Sequence, residues 1–309
     1  MQDYYNDSNA TAARLQTKLP LFGEGRDEES AGSQILYDLL PADLAEVIFE
    51  KLTQEITWQH MHHQTGEVPR LVCCQGDIDD AGTRPVYRHP SDQTLPLSIW
   101  THAVKQIRTS VEESVGHPLN HVLIQLYRGG SDYISEHSDK TLDIAKGSSI
   151  VNVSFGAQRT MRLRTKRGAK PAPSDGHSTA TNAPGRTTYR VPLPHNSMIT
   201  MSLPTNAAYL HGINADKRPT VEFIDAEKAY GGQRISLTFR HIATFLSSDE
   251  KLIWGQGATG KTEEAAHAVI NGDAAESENL VRAFGVENQA STIDWEAVYG
   301  EGSDVLHLR

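Results

Sequence analysis

His137 and Asp139 are separated by one residue in the segment SEHSDK, and they are the first candidates for chemistry in the chain. Alternate residues of a β-strand point to the same side, so this imidazole and this carboxylate can reach one metal ion. His211, in the segment YLHGI, supplies a third ligand from a distant part of the chain. Two histidines and one carboxylate leave coordination positions open, as in non-haem Fe(II) sites that bind a co-substrate and O₂. The sequence therefore predicts a mononuclear iron site.

Two arginines follow in the segment RISLTFR, residues 234–240. In a strand, the even-numbered residues of this segment share one face and the odd-numbered, apolar residues share the other. The apolar face can pack into the core while Arg234 and Arg240 point toward the metal. Guanidinium groups bind carboxylates through two parallel hydrogen bonds, and 2-oxoglutarate has a carboxylate at each end. We therefore expect 2-oxoglutarate as the co-substrate that accompanies Fe(II) and O₂.

Two amphipathic helices and then a series of short strands are predicted around these residues. Apolar residues occur at helical spacing in the segments PADLAEVIFEKL and LSIWTHAVKQIRTSVEESVG. From residue 121 the pattern changes to short alternating runs, namely HVLIQLY, SIVNVSF, TMRLR, NSMITMSL and RISLTFRHI. This order of elements predicts an α+β fold with a double-stranded β-helix (jelly-roll) core and flanking helices.

Composition and pattern divide the chain into three parts. Residues 1–34 are rich in Asp, Glu, Asn, Ser and Gly, which predicts a disordered or loosely packed arm. Residues 35–245 form the domain that carries the predicted iron site. Residues 246–309 contain the helical patterns TEEAAHAVI and SENLVRAF, which predict a helical C-terminal extension on the core.

The composition also limits the setting in which the protein works. We find neither a signal-peptide pattern nor an apolar run long enough for a membrane helix, so no membrane partner is expected. The two cysteines, Cys73 and Cys74, are adjacent, which is typical of reduced thiols in a nuclear or cytoplasmic protein. The net charge of −10 argues against binding nucleic acid by overall charge alone, although a basic loop at 166–190 could contact phosphates.

The segment GQGATGKT, residues 255–262, matches the pattern of a phosphate-binding loop. That loop requires a buried strand before it, a helix after it and further parallel strands. The surrounding sequence offers none of these clearly, so we interpret the segment as a glycine-rich turn.

Three segments resemble the AlkB family of Fe(II)/2-oxoglutarate dioxygenases, and in particular its eukaryotic nucleic-acid dealkylase branch. They are NHVLIQLYRGGSDYISEHSD, SIVNVSFGAQRTMRLR and GGQRISLTFR. The resemblance implies that His137, Asp139 and His211 hold the iron. It further implies that Arg234 binds the distal carboxylate of 2-oxoglutarate, and that Arg240 lies beside its metal-binding end and pairs with Asp139.

The resemblance also implies roles for residues around the iron. Tyr127 would hydrogen-bond the co-substrate, and Gln125 stands where the family usually has an asparagine, with a side chain one methylene longer. Asp143 lies where relatives carry an acid that contacts a flipped-out base, and Tyr133 lies where a substrate-pocket residue is expected. The chain departs from the family in DDAGTRPVYRHP and in an insertion after His211, both near the expected substrate entrance.

Three hypotheses for the substrate follow. The first is oxidative demethylation of N-alkylated bases in DNA or RNA, as in DNA repair, with succinate, CO₂ and formaldehyde as products. The second is oxygenation of a small molecule such as an amino acid or a natural product, which the net charge and the two departures favour. The third is a scaffold that has kept the site but works by binding a partner, which the intact set of ligands and arginines argues against.

Overall fold

The computed structural model describes residues 17–63, 66–90, 95–167 and 186–308. The α-helices in these ranges are α1 (Asp27–Ser30), α2 (Ala42–Glu55), α3 (His102–Val115), α4 (Leu203–Ala208), α5 (Asp225–Lys228), α6 (Ala274–Gln289) and α7 (Trp295–Tyr299). Single 3-10 turns lie at Thr220–Glu222, Ala229–Gly232 and Glu263–Ala265. Among the helices of these ranges, none combines the length and the apolar character that crossing a membrane requires.

The strands fall into an early set, a jelly-roll set and a C-terminal set. The early strands are β1 (Lys18–Pro20), β2 (Gln34–Leu36), β3 (Gln59–His63), β4 (Gly66–Gly76), β5 (Arg84–Pro85) and β6 (Leu97–Ser98). The jelly-roll strands are β7 (His121–Tyr127), β8 (Ile134–His137), β9 (Ser149–Gly156), β10 (Arg159–Thr165), β11 (Thr188–Leu193), β12 (Ser197–Ser202), β13 (Tyr209–Ile213) and β14 (Arg234–Arg240). The C-terminal strands are β15 (Thr244–Leu246), β16 (Leu252–Gly255), β17 (His267–Ala268), β18 (Ile270–Asn271) and β19 (Val305–His307).

Two sheets of mainly antiparallel strands face each other and enclose the centre of the molecule. The larger sheet has the order β1-β2-β12-β9-β14-β7-β4-β3, with β6 beside β4, and the smaller sheet has the order β11-β10-β13-β8. Side chains from both sheets form one buried apolar cluster, for example Ile150 and Met201 from the larger sheet and Leu163 and Ile213 from the smaller one. This arrangement is the predicted jelly-roll core.

Helices α2 and α3 cover the outer face of the larger sheet. Ile48, Ile107 and Leu237 are fully buried in the apolar cluster between these helices and the sheet. The odd-numbered residues of β14 lie in this cluster, whereas Ser236, Thr238 and Arg240 line the space between the two sheets. Both helices and the strand segments predicted from the sequence pattern are therefore confirmed, and so are the two faces of β14.

The predicted N-terminal arm is only partly described, because residues 1–16 lie outside the described ranges. From residue 17 the chain is attached to the core. Strand β1 pairs with β2, β2 pairs with β12 at the edge of the larger sheet, and Leu21 and Phe22 are buried in the cluster between the sheets. The prediction of a loosely packed arm is thus wrong for residues 17–34, because a few apolar residues in a polar stretch were enough to anchor it.

The C-terminal segment contains helices α6 and α7 and also short strands. The pattern TEEAAHAVI, predicted as a helix, forms a 3-10 turn and then strands β17 and β18, since β17 pairs with β16. The segment GQGATGKT forms a turn after β16, and Lys261 Nζ donates to the carbonyl of Ala258 at 2.6 Å. An apolar cluster of Leu142, Phe284 and Tyr299 fixes the two helices to the jelly roll.

Candidate metal centre and co-substrate pocket

Strand pairing brings the two predicted histidine ligands together. His137 ends β8, His211 lies in β13, and the two residues are direct partners in the antiparallel register. Their ring centroids are 4.4 Å apart. Asp139, two residues after His137, places Oδ1 at 3.7 Å from His137 Nε2 and 3.8 Å from His211 Nε2. One ligand atom from each residue lies within 4.8 Å of the others, a spacing that suits a single ion.

The protonation states of these groups also fit a metal. Burial lowers the pKa of His211 to about 3, with His137 contributing, and burial lowers the pKa of His137 as well. His137 Nδ1 donates to the carbonyl of Ser135 at 2.8 Å, which leaves Nε2 unprotonated toward the centre. Burial alone would raise the pKa of Asp139, but Arg240 and the two histidines outweigh it and hold that pKa below its ordinary value. Two neutral imidazoles and a carboxylate are the protonation states that a divalent metal needs.

Arg240 orients the carboxylate of Asp139. Its Nε and Nη2 contact Asp139 Oδ2 at 2.9 and 2.7 Å, and both side chains are buried. Oδ2 is therefore occupied by the guanidinium, while Oδ1 faces the two histidines. The predicted pairing of these residues is present, and it fixes which carboxylate oxygen is directed at the metal position.

A cavity lies between the sheets beside the three ligands. Its walls include the metal ligands, Arg240, Gln125, Tyr127 and Asn152, together with apolar side chains such as Ile150 and Met201. Tyr127 Oη donates to Gln125 Oε1 at 3.4 Å, so the two predicted co-substrate residues contact each other inside the cavity. Their roles toward 2-oxoglutarate stay predictions.

Arg234 is fully buried next to this cavity. Its Nη2 donates to Ser154 Oγ at 2.7 Å and to Asn152 Oδ1 at 3.2 Å, and its guanidinium lies 5.2 Å from the ring centroid of Tyr127. Its Nε and Nη1 have no hydrogen-bond partner among the described residues. Buried N–H groups without a partner are costly, and a carboxylate would satisfy both of them at once. This donor set fits the co-substrate that the sequence predicts.

Asp143 does not have the surroundings of a substrate-contacting residue. It is fully buried, and Arg88 Nη2 and Nε donate to its two oxygens at 2.6 and 3.1 Å. Arg88 also donates to the carbonyls of Gly257 and Val305, which tie the C-terminal segment to the core. The predicted contact of Asp143 with a base is therefore wrong, because both oxygens of its carboxylate bind Arg88 in a buried ion pair.

Tyr133, the other predicted substrate residue, lies at the surface just before β8, with 42% of its area exposed.

Sequence reasoning missed several residues that support the site. Asn206 holds the backbone of Asp139, with its Oδ1 accepting from Asp139 N and its Nδ2 donating to Asp139 O, both at 2.9 Å. Tyr87 lies over Arg240, with the guanidinium 4.1 Å from its ring centroid. These residues belong to no motif, so only their contacts in the fold reveal them.

Comparison with known proteins agrees with this geometry. The model of the 2OG-Fe(II) oxygenase superfamily matches residues 32–240, which include the three metal ligands and both arginines. The chain therefore belongs to the 2OG-Fe(II) oxygenase superfamily and, within it, to the AlkB family. It is an oxidoreductase whose ligand set fits Fe(II) and whose co-substrates are 2-oxoglutarate and O₂.

Among the similar proteins are two described as DNA oxidative demethylase ALKBH2. The protein from Mus musculus is 31% identical over 209 residues, which cover 64% of this chain and 75% of the relative. The protein from Homo sapiens is 30% identical over 205 residues, which cover 64% of this chain and 69% of the relative. Alpha-ketoglutarate-dependent dioxygenase alkB homolog 3 of Rattus norvegicus is 28% identical over 206 residues, or 64% of this chain and 60% of that protein.

Proposed function

We propose that the protein removes alkyl groups from the bases of nucleic acids by Fe(II)- and 2-oxoglutarate-dependent oxidation. The names of the relatives support this proposal, since two of them are DNA oxidative demethylases. Bound iron and 2-oxoglutarate supply the chemistry by coupling decarboxylation of the keto acid to insertion of one oxygen atom of O₂ into a C–H bond. A hydroxylated N-methyl group then leaves as formaldehyde and restores the base, with succinate and CO₂ as the other products.

The residues of this chain hold and shield the reacting groups. His137, Asp139 and His211 would bind the metal, and Arg240 keeps one oxygen of Asp139 directed at it. Arg234 would bind the distal carboxylate of 2-oxoglutarate through its two N–H groups that lack a partner among the described residues. Apolar side chains in the cavity wall would limit the water around these charged contacts, which would strengthen them.

One observation favours a nucleic acid over a small molecule as the substrate. Arg162, Arg164 and Arg190 lie on the outer face of the smaller sheet, and Arg186, just before β11, donates from Nε to the carbonyl of Thr165 at the end of β10. We call these four residues the arginine face. Arg162 and Arg190 are direct cross-strand partners in β10 and β11, and Arg190 is exposed. Like charges opposite each other destabilise a sheet unless an anion lies between them. Glu136 pairs with Arg162 at 3.8 Å and also with Arg164, so one carboxylate serves two guanidinium groups.

The arginine face is adjacent to the metal ligands. Glu136 immediately precedes His137 in β8, and Gly212, the cross-strand partner of Arg162, immediately follows His211. Because successive strand residues point to opposite sides, the arginines lie outside the same strands that hold the ligands inside. A phosphate backbone on the arginine face would thus run close to the metal centre. A local positive surface on a chain of net charge −10 is the footprint expected for such a backbone.

The reaction is tested with Fe(II), 2-oxoglutarate and oligonucleotides that contain 1-methyladenine or 3-methylcytosine. We expect formaldehyde and succinate in equal amounts, and restored base in the oligonucleotide by mass spectrometry. An unmodified oligonucleotide of the same sequence is the control and should give no formaldehyde. Succinate without formaldehyde, at a rate that the modified oligonucleotide does not change, would show that the enzyme oxidises a different class of substrate.

The role of the arginine face is tested by the salt dependence of oligonucleotide binding. Each phosphate contact that is lost reduces the slope of log affinity against log salt by about 1. We expect the double variant Arg162→Gln/Arg190→Gln to bind more weakly and to have a slope smaller by about 1 to 2. Arg282→Gln, an exposed arginine of α6, is the matched control and should behave like the parent protein. Equal slopes for the double variant and the parent would exclude the arginine face from binding.

A further inference from the structure

Residues 138–141, which follow β8, include Asp139, and a side chain accepts a hydrogen bond from each of their four backbone amides. Ser138 N donates to Asn288 Oδ1 at 3.1 Å, and Asp139 N donates to Asn206 Oδ1 at 2.9 Å. Lys140 N donates to Tyr87 Oη at 3.1 Å, and Thr141 N donates to Glu287 Oε1 at 2.9 Å. Because four successive amides have side-chain acceptors, the path of this loop depends on those acceptors and not on a β-ladder.

Two of the four acceptors come from helix α6 of the C-terminal segment. Glu287 and Asn288 are consecutive residues near the end of α6, and they lie outside residues 32–240, which match the superfamily. Asn288 Oδ1 also accepts from Lys140 Nζ at 3.0 Å, and the same Nζ donates to the carbonyl of Ser138 at 2.8 Å. One amide oxygen of α6 thus binds both ends of the Ser138–Lys140 stretch, with Asp139 between them.

Buried contacts inside the protein hold Glu287 in position for this hydrogen bond. Its side chain is fully buried, and its carboxylate accepts from Thr141 Oγ1 at 2.5 Å and from the hydroxyl of Tyr299. Lys166 is also buried, and its Nζ donates to the backbone carbonyl of Glu287 at 2.7 Å. A buried carboxylate with this many donors is held in one position, and removing one partner leaves an unpaired polar group.

We propose that Glu287 and Asn288 are positioning residues of the metal centre. They fix the backbone on both sides of Asp139, so that Oδ1 of Asp139 meets the two histidines while Arg240 holds Oδ2. The C-terminal segment is then a working part of the active site, although the superfamily match ends before it begins. The proposal concerns the metal centre alone, so it does not depend on which substrate the enzyme oxidises.

The test is metal affinity of the full-length protein, measured without turnover. Apoprotein is titrated with Mn(II) in the presence of 2-oxoglutarate, and free Mn(II) is followed by electron paramagnetic resonance. We compare the parent with Asn288→Leu, which removes the acceptor, Asn288→Asp, which keeps one, and Glu287→Gln. Glu278→Gln is the matched control, because Glu278 is an exposed carboxylate of the same helix. Loss of partners that orient metal ligands typically weakens metal binding by about 10-fold to 100-fold.

We expect a loss in that range for Asn288→Leu and Glu287→Gln, and parent affinity for Asn288→Asp and Glu278→Gln. If Glu287→Gln does not fold, Asn288→Leu decides the question, because Asn288 is only partly buried. A variant that loses thermal stability but binds Mn(II) as tightly as the parent would show that α6 merely braces the fold. That result for Asn288→Leu would overturn the proposal.

Discussion

Replacing Arg234 by methionine tests the co-substrate site most directly. Arg234 is fully buried and presents Nε and Nη1 without a partner among the described residues, while Ser154 and Asn152 hold Nη2. Methionine fills a similar volume but offers no donor. Each hydrogen bond to a charged group contributes about 1.5–3 kcal/mol, so two lost bonds to a carboxylate amount to about 3–6 kcal/mol.

At about 1.4 kcal/mol for each tenfold change, the dissociation constant for 2-oxoglutarate should rise by at least about 100-fold in Arg234→Met. The free energy of unfolding of the ligand-free protein should not decrease in proportion. Burial already disfavours this charge, and it lowers the pKa of Arg234 to about 10. Exchanging an unpaired buried charge for an apolar side chain of similar volume is therefore not expected to reduce the free energy of unfolding strongly.

The assay is the dependence of succinate formation on 2-oxoglutarate, together with calorimetric binding of 2-oxoglutarate to the Mn(II)-loaded protein. Arg190→Met is the control, since it removes an exposed arginine from the arginine face and should leave 2-oxoglutarate binding unchanged. A dissociation constant for Arg234→Met close to that of the parent would refute the assignment of Arg234 to the co-substrate. A loss of turnover at unchanged affinity would refute it equally, because a binding residue must act on affinity.

Three further predictions concern the ligands, the interior histidine and the buried ion pair. His137→Ala and Asp139→Ala should abolish both succinate formation and Mn(II) binding in the titration described above, and normal turnover in either would contradict the ligand assignment. Burial, with Arg240 contributing, lowers the pKa of His121 to about 3. Between pH 6.5 and 3, His121 is therefore protonated in the unfolded chain but not in the folded protein. The free energy of unfolding should therefore fall as the pH decreases below 6.5, by up to about 1.4 kcal/mol per pH unit from this group, and denaturant titrations of His121→Asn should show a smaller fall. Asp143→Ala should lower the free energy of unfolding by about 3–5 kcal/mol in such titrations, because Arg88 remains buried without its partner. A change in base selectivity at unchanged stability would instead support a substrate role for Asp143.

The sequence predicted the elements whose pattern is local. Strand β7 has the bounds of the segment HVLIQLY, and the alternation in RISLTFR assigned the two faces of β14 correctly. Both results follow from period-2 burial, which a single strand displays in its own residues. The metal ligands could also be predicted from local pattern. His137 and Asp139 form a short motif, and His211 lies in a later segment with the pattern of a strand.

What the sequence did not predict depends on contacts between distant segments. Asp143 was assigned to the substrate, but its carboxylate meets Arg88, and neither residue carries a local sign of that pairing. Nothing in the sequence distinguishes Glu287 from the other acidic residues of its helix, and only the fold shows that it contacts Thr141. The segment TEEAAHAVI has helical residues, yet pairing of β17 with β16 overrides their propensity. Tertiary contacts decided all three cases.

The charges of the interior connect the metal and the co-substrate. Arg240 pairs with Asp139, whereas the buried guanidinium of Arg234 contacts the neutral side chains of Ser154, Asn152 and Tyr127. The charge of Arg234 is therefore not balanced by a carboxylate in these contacts before any ligand binds. A divalent metal alone would add to this positive charge, whereas 2-oxoglutarate brings two negative groups to the same region. Each ligand therefore improves the electrostatic environment of the other, and the factor by which 2-oxoglutarate tightens metal binding must equal the factor by which the metal tightens 2-oxoglutarate binding. Arg234→Met should weaken this coupling, because it removes the positive charge at the far end of the co-substrate while leaving the three metal ligands in place.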